Sequence, residues 1–192
     1  MNEIDIVTSS DYSRKWWEKD LLKNLSWQYK SCVYHRVLFN YLDIPRYGNI
    51  LMLGCGYGMS LEILANQFPG RKVQGFDLYN YADHPLVIEK NVCDLEDQNI
   101  AYVYCNVGNF VETPDIRKIA LQWSLKNLVP GGVCVTSGNH DFVENFLNFK
   151  ITELASDYNC TVSNLPNDSA IEQMNSCGKY NSSHDCVITK KY

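Results

Sequence analysis

A short apolar run closed by a glycine-rich turn constrains the fold of this chain more than any other stretch. The run covers residues 50–53, and the turn that follows it reads Gly54-Cys55-Gly56-Tyr57-Gly58. Apolar residues then recur at Leu61, Leu64 and Phe68, a spacing that suits one face of a helix. Because the run is too short for a helix and ends in alternating glycines, the sequence predicts a strand, a tight turn and a helix.

The turn has the properties of a ligand-binding loop. Glycines adopt positive φ and let a ligand approach main chain that a Cβ would block. Their N–H groups would lie beside the positive end of the following helix. A second short strand over residues 72–78 ends in Asp77, an acid about 20 residues beyond the turn, which is the spacing at which a carboxylate meets ribose hydroxyls. The turn and the spaced acid together predict a site for a nucleoside-containing cofactor.

At these residues the chain resembles the class I S-adenosylmethionine-dependent methyltransferases. In that family a GxGxG turn after the first strand holds the methionine part of the cofactor, and an acid at the end of the second strand binds the ribose. The resemblance implies S-adenosylmethionine as the cofactor, held by the five turn residues and by Asp77 and Leu78. The family usually has a further acid two residues before the first glycine, which helps to hold the cofactor's amino group, and here that position is Met52.

A second match lies further along the chain, where residues 125–135 are similar to the "L-x-P-G-G" approach to the fifth strand of the same family. The resemblance implies an α/β, Rossmann-like class I methyltransferase fold. This fold has a mostly parallel seven-stranded sheet with a C-terminal antiparallel hairpin, and N-terminal helices precede it.

Length and patterning predict one core domain. A chain of 192 residues, 45% of them hydrophobic, buries one good core and is too short for two large ones. Apolar residues three or four apart between residues 12 and 42 predict an N-terminal helical extension over 1–46, followed by a methyltransferase-like α/β domain over 47–192. Two interpretations of the polar side chains in the extension stay open, namely contacts in the substrate pocket and packing of the helices onto the sheet; the residues concerned are Tyr29, Tyr34, His35 and Arg36.

The remaining elements are predicted from local patterns. A helix opens at Thr113-Pro114-Asp115, extends its apolar face to Leu128 and is stopped by residues 129–132. A further helix is expected over residues 142–155. Residues 86–92 suit a third strand, although a short helix also fits them. The other predicted strands are residues 100–107, residues 133–136, residues 160–163 and residues 185–190.

Four more residues are candidates for the site. Asp94 falls where the family often contacts the adenine amino group, although a surface aspartate that caps the next turn accounts for it equally well. Asn106 follows the fourth strand, next to the cofactor, where the family's catalytic or substrate-orienting group frequently lies, and it is a candidate cofactor contact. His140 and Asp141 follow the fifth strand, and a histidine is a natural base for a hydroxyl that accepts a methyl group. The alternative is that Asp141 caps the next helix and His140 is exposed in a loop.

Composition narrows the function classes. The net charge of -5 gives no basic excess, so binding to nucleic acid is not favoured. No run approaches the roughly 18 apolar residues of a membrane span, and the N-terminus lacks the pattern of a signal peptide, so a cytoplasmic protein without membrane partners is expected. Eight cysteines without a CxxC pair, and no acid cluster at metal-ligand spacing, predict no metal site. Cys93, Cys105 and Cys134 are expected to be small buried residues.

The sequence thus predicts an S-adenosylmethionine-dependent methyltransferase that acts on a small-molecule or sugar-like acceptor, at oxygen or nitrogen and without a metal. One alternative is a non-catalytic methyltransferase-like module that binds the cofactor or a partner. The other is an NAD-dependent oxidoreductase, because Gly54, Gly56 and Asp77 also satisfy part of the dinucleotide fingerprint. The third glycine of that fingerprint would fall at Met59, which breaks its pattern.

Overall fold

The computed structural model describes residues 32, 35–36, 38–105, 114–136, 150–164 and 186–192. From residue 49 onward, the described ranges contain three helices, one 3-10 turn and seven strands. In order they are β1 (Asn49–Leu53), α1 (Met59–Gln67), β2 (Val73–Asp77), β3 (Val87–Glu89), the 3-10 turn Val92–Asp94, β4 (Ile100–Cys105), α2 (Pro114–Asn127), β5 (Leu128–Thr136), α3 (Ile151–Asp157), β6 (Cys160–Asn164) and β7 (Cys186–Lys190).

The strands form one sheet in the order β3-β2-β1-β4-β5-β7-β6. Strands β1 to β5 are mutually parallel, and β7 is antiparallel to both of its neighbours, β5 and β6. This topology confirms the predicted fold, a mostly parallel seven-stranded sheet with a C-terminal antiparallel hairpin. Of the predicted N-terminal helices, the described residues Cys32, His35, Arg36 and Leu38 are helical.

The five parallel strands end at one edge of the sheet. The register pairs Leu53 at the end of β1 with Phe76 in β2 and with Cys105 at the end of β4, and it pairs Asp77 with Glu89 at the end of β3. Ligands of open parallel sheets bind outside this carboxyl edge. The glycine turn follows β1 and Asp77 ends β2, so the fold places both at that edge.

Two apolar layers cover the sheet. Successive strand residues point to opposite faces. Since the central strands β1 and β4 have apolar residues at consecutive positions, both of their faces are apolar. On one face, Leu51, Val103 and Cys134 belong to a buried cluster with residues of α2 and α3. On the other face, Met52 and Tyr104 belong to a buried cluster with Leu38 and residues of α1.

The predicted boundaries need correction around β3 and β5. Strand β3 is only three residues long, and Val92, predicted in the strand, lies in the 3-10 turn. Leu128 begins β5 and does not continue α2. The Val129-Pro130-Gly131-Gly132 segment does follow the end of the helix, but it lies inside β5 as a bulge. The register there shifts from Ile100 opposite Leu128 to Tyr102 opposite Val133.

Two further expectations are wrong in part. The helix predicted over residues 142–155 is not continuous, because Lys150 has extended backbone (φ -79°, ψ 115°) and α3 begins after it; residues 142–149 lie outside the described ranges. Cys105 and Cys134 are buried as expected, whereas Cys93 is exposed because β3 ends before it and leaves it on the 3-10 turn. Among the described helices, none combines the length and the apolar character that crossing a bilayer requires.

Candidate functional site

The turn after β1 has the geometry that its glycines predict. Gly54, Gly56 and Gly58 have φ values of 69°, 57° and 77°, in the left-handed region that favours glycine. The Gly54 N–H donates to the carbonyl of Phe76 at 2.9 Å, so the turn starts as a continuation of the pairing between β1 and β2. Gly58 is the N-cap residue of α1 and provides no side-chain cap. The first N–H groups of α1 and its positive dipole end therefore lie at the carboxyl edge of the sheet.

Asp77 is bound to this turn by its side chain. Its Oδ2 accepts the N–H of Gly56 at 2.8 Å, and its Oδ1 accepts the N–H of Leu78 at 2.8 Å. The N–H of Tyr79 also bonds to the carboxylate. Since a carboxylate has about four lone-pair positions, three backbone donors leave room for a further donor from a ligand.

Burial dominates the protonation of Asp77. It raises the pKa of this carboxyl to about 6, against the lowering effect of the N–H groups of Gly56, Leu78 and Tyr79. Asp77 is therefore ionised at neutral pH and takes up a proton in mildly acidic solution. An ionised carboxylate is acceptor-only, which matches the hydroxyl groups of a ribose.

Close packing between the turn and β2 depends on a glycine that the sequence analysis did not single out. A Cβ on Gly75 would lie 2.5 Å from Sγ of Cys55 and 2.6 Å from Cδ1 of Leu61. A glycine inside a strand pattern is the available sequence signal for such an approach. Burial, and after it the charge of Asp77, raises the pKa of the Cys55 thiol well above its usual value, so Cys55 is an unreactive packing residue of the turn.

Three tyrosines surround the same corner of the sheet. The ring of Tyr57 in the turn is buried and lies 5.9 Å from the ring of Tyr81, and that ring lies 5.8 Å from the ring of Tyr79. Only Tyr57 was a predicted site residue. Tyr79 and Tyr81 follow Asp77 closely in sequence, which is the signal that could have identified them.

Asp94 is exposed on the 3-10 turn, five positions after the end of β3. Asn91 lies nearer to the strand end and caps this turn, since its side chain accepts the N–H of Cys93 at 3.0 Å. The preceding residue, Lys90, donates its N–H to the carbonyl of Asp77 at 2.9 Å. Asn91 is thus next in sequence to the residue that bonds to Asp77, and the sequence analysis did not single it out because the strand predicted over residues 86–92 included it.

Met52 occupies the place of the missing acid, and its surroundings are apolar. It is 2% exposed and lies opposite Tyr104 in the register of β1 and β4. The buried ring of His35 meets the ring of Tyr104 edge-on at 4.6 Å, and burial lowers the pKa of His35 to about 3. Of the two interpretations of His35, the structure supports packing of the N-terminal segment onto the sheet. Arg36 is exposed.

Several predicted site residues lie outside the described ranges, namely Asn106, His140, Asp141, Tyr29 and Tyr34. In the part of the chain that is described, no three His, Cys, Asp or Glu side chains form a group suited to a metal ion.

Comparison with known proteins shows that the chain is similar to others in its fold. No family model and no curated protein sequence matches the chain. It is similar to an amino pentose methyltransferase from Micromonospora echinaspora solved with SAM, at 15% identity and a TM-score of 0.55, over 84% of this chain and 90% of that chain. It is also similar to the plantazolicin methyltransferase BpumL solved with SAH, at 12% identity and a TM-score of 0.56, over 99% and 97% of the two chains. The chain has the fold of the class I S-adenosylmethionine-dependent methyltransferases.

Proposed function

We propose that this protein is an S-adenosylmethionine-dependent methyltransferase that acts on a small-molecule or sugar-like acceptor, at oxygen or nitrogen and without a metal ion. The observation that carries the proposal is the bond between Gly56 and Asp77 at the carboxyl edge of the sheet. It unites the two parts of the sequence that the resemblance assigned to the cofactor. Among proteins of the same fold, one is named as an amino pentose methyltransferase, which supports a sugar-like acceptor.

The described residues fit the cofactor. The left-handed Gly54 and Gly56 leave the turn without Cβ atoms where a ligand would approach the main chain, whereas the Cβ side of Gly58 is covered by His84 and Val87. The ionised carboxylate of Asp77 retains acceptor capacity for a ribose hydroxyl beside its three backbone donors. We assign the remaining contacts to Cys55 and Tyr57 in the turn, to Leu78, and to the predicted positions Asp94 and Asn106.

S-adenosylmethionine, when bound, supplies a methyl group on a sulfonium, which is already a good electrophile. The work of the protein is then to bring the acceptor atom in line with that methyl group. We assign His140, beside Asp141, as the base that removes the proton of a hydroxyl acceptor. A histidine titrates near neutral pH and suits this role.

The topology favours this function over an oxidoreductase. The dinucleotide-binding fold has the strand order 3-2-1-4-5-6, whereas here an antiparallel β7 lies between β5 and β6. The non-catalytic module has a specific observation in its favour, because Met52 is buried among apolar residues where the family usually has an acid. Cofactor binding as such is compatible with both a catalyst and a module.

Calorimetric titration with S-adenosylhomocysteine, with NAD as the control ligand, tests the proposal. Binding of S-adenosylhomocysteine alone is expected, and methyl transfer from labelled S-adenosylmethionine to a panel of amino sugars and hydroxylated metabolites then identifies the acceptor. Binding of the cofactor product without transfer to any acceptor favours the module. Binding of neither ligand contradicts the proposed cofactor.

A further inference from the structure

We propose that His84 is a positioning residue of the cofactor site, whose ring holds the loop after Asp77 against the glycine turn. This loop comprises residues 78–86 and joins β2 to β3. The inference rests on the proposed function, because it concerns the same site. It adds a residue that makes no contact with the reacting atoms and acts through Gly58 and Asp77.

The ring of His84 lies directly on the main chain of Gly58. A Cβ on Gly58 would be 2.8 Å from Cγ of His84 and 3.1 Å from its Nδ1. The side chain of His84 is only 11% exposed. Because Gly58 is the N-cap residue of α1, the loop is in contact with the point where the glycine turn becomes the helix.

The ring is held in one orientation. Its Nδ1 accepts the N–H of Leu86 at 3.2 Å. Since a backbone N–H can only donate, Nδ1 carries no proton, and in the neutral ring the proton is on Nε2. That nitrogen lies 3.6 Å from Oε1 of Glu62, in the first turn of α1. The ring is thus directed toward the helix on one side and fixed to its own loop on the other.

The side chain of Asn80 holds the main chain of His84 with two hydrogen bonds. The amide oxygen of Asn80 accepts the N–H of His84 at 2.7 Å, and its amide nitrogen donates to the carbonyl of His84 at 2.9 Å. The N–H of Asn80 itself donates to Oε1 of Glu89 in β3 at 2.8 Å. The loop is therefore a compact unit, and it contacts the glycine turn through the ring of His84 as well as through the ring of Tyr81 against that of Tyr57.

The start of this loop sets the orientation of the proposed ribose acceptor. The N–H groups of Leu78 and Tyr79 bond to the carboxylate of Asp77. If the ring of His84 is removed, the loop loses its contact with Gly58 and occupies the binding-competent position for a smaller fraction of the time. The apparent dissociation constant then rises by the inverse of that fraction, so a loop in place about one tenth of the time gives about tenfold weaker binding.

Titration of the full chain with S-adenosylhomocysteine tests the inference with three variants. His84→Ala is expected to bind about tenfold more weakly than the wild type. His84→Phe keeps a ring on Gly58 and is expected to retain most of the affinity, whereas His84→Gln keeps an acceptor without a ring and is expected to lose it. With an identified acceptor, His84→Ala raises KM for S-adenosylmethionine and leaves kcat near its wild-type value.

Val162→Ala is the control for a general loss of packing. Val162 packs against the core from β6, at the opposite end of the sheet from β3, so this variant should lower Tm without changing the affinity. Equal affinities of the wild type and His84→Ala overturn the inference alone. If His84→Ala does not fold, stronger binding by His84→Gln than by His84→Phe overturns it. A wild-type protein that binds no S-adenosylhomocysteine overturns the proposed function, and this inference with it.

Discussion

The main-chain N–H of Gly56 donates to Oδ2 of Asp77 at 2.8 Å, across 21 positions of sequence. The bond joins the turn after the first strand to the end of the second, so the two halves of the proposed cofactor site are not independently placed. Gly56 has a left-handed backbone, and its N–H points to the end of the neighbouring strand. A change in either residue should therefore affect both the turn and the carboxylate.

Replacing Asp77 should weaken cofactor binding. Asp77→Ala removes the charged acceptor for the ribose and also leaves the N–H of Gly56 without its partner. The expected loss is about 2 kcal/mol, or roughly 30-fold in the dissociation constant for S-adenosylhomocysteine, measured by calorimetry. Asp77→Asn keeps the size of the side chain and one acceptor oxygen, and should bind with intermediate affinity. An unchanged affinity in Asp77→Ala would show that this residue is not the ribose acceptor.

The same residue should make cofactor binding depend on pH. Its pKa of about 6 means that it is ionised at pH 7.5 and mostly protonated at pH 5. Because the ionised form is the better acceptor for ribose hydroxyls, affinity should rise with pH through 6, with about a tenfold difference between pH 5 and pH 7.5. Calorimetry across this range checks it, and Asp77→Asn is the control that should show no step. A flat profile in the wild type would contradict the proposed role of the ionised form.

In the ligand-free protein the raised pKa of Asp77 should make stability fall as the pH rises, whereas cofactor affinity should rise. The pKa in the folded chain, about 6, lies above the usual value of 3.8, so the folded state holds the proton more tightly than the unfolded state. The contribution of Asp77 to the free energy of unfolding should therefore be greatest below about pH 4 and should decrease as the pH rises through about 6. Urea unfolding of the wild type and Asp77→Asn across this range measures the difference. If the two free energies stay parallel, the shift in pKa is not present.

The mostly parallel seven-stranded sheet with its C-terminal hairpin could be predicted because the chain carries two motifs that resemble those of one family, in the right order along the chain and each next to a strand. The boundaries of the helices and strands were harder to predict from the sequence. Pro130 and the two glycines after it indicate a helix stop, but only the pairing with β4 shows that they form a bulge within β5. Similarly, the apolar residues 86–92 resemble one strand, yet only three of them pair with β2. Pairing between distant segments decides such boundaries, and a local pattern does not contain it.

In the candidate site too, some features could be predicted from the sequence and others could not. Backbone features of the glycine turn and the position of Asp77 followed from residue type and spacing. The contact of His84 with Gly58 did not, because it depends on how a nine-residue loop without regular structure folds back onto α1. The exposure of Asp94 agrees with the surface aspartate that the sequence left as an alternative, but the residue that caps the 3-10 turn is Asn91.

A methyl group at Gly75 should strain the contact between β2 and the glycine turn. A Cβ there would lie 2.5 Å from Sγ of Cys55, so Gly75→Ala should reduce the free energy of unfolding by about 1–3 kcal/mol. Urea unfolding measures the loss. Gly70→Ala is the comparison, because a Cβ at Gly70 meets no atom within 4 Å and only its left-handed φ of 79° is unfavourable, at about 1–2 kcal/mol.

A double-mutant cycle separates the steric contact at Gly75 from other effects. Cys55→Ala removes the sulfur that the new methyl group would meet, so the cost of Gly75→Ala should be smaller in the Cys55→Ala background. Equal costs in the two backgrounds would contradict the contact.

Removing the proposed base should separate catalysis from binding. His140→Ala should lower turnover of a hydroxyl acceptor by about 100-fold or more and leave the affinity for S-adenosylhomocysteine near that of the wild type. Initial rates and calorimetry on the same preparation measure both quantities. Asp141→Asn is the companion variant, since it keeps the size of the neighbouring side chain. Full activity of His140→Ala would leave the interpretation of His140 as an exposed loop residue.

An acid at position 52 should not restore the usual family contact in this chain. Met52 is 2% exposed and lies in the apolar layer with Tyr104, so Met52→Asp would bury a carboxylate without a charged partner among the described members of that layer. The expected cost is about 3 kcal/mol or more of unfolding free energy, whereas Met52→Leu should cost less than about 1.5 kcal/mol. Thermal unfolding and S-adenosylhomocysteine titration of both variants check this. Tighter binding by a stable Met52→Asp would show that the position still faces the cofactor's amino group. Loss of stability without tighter binding would show that the apolar packing of Met52 is a structural requirement at this position.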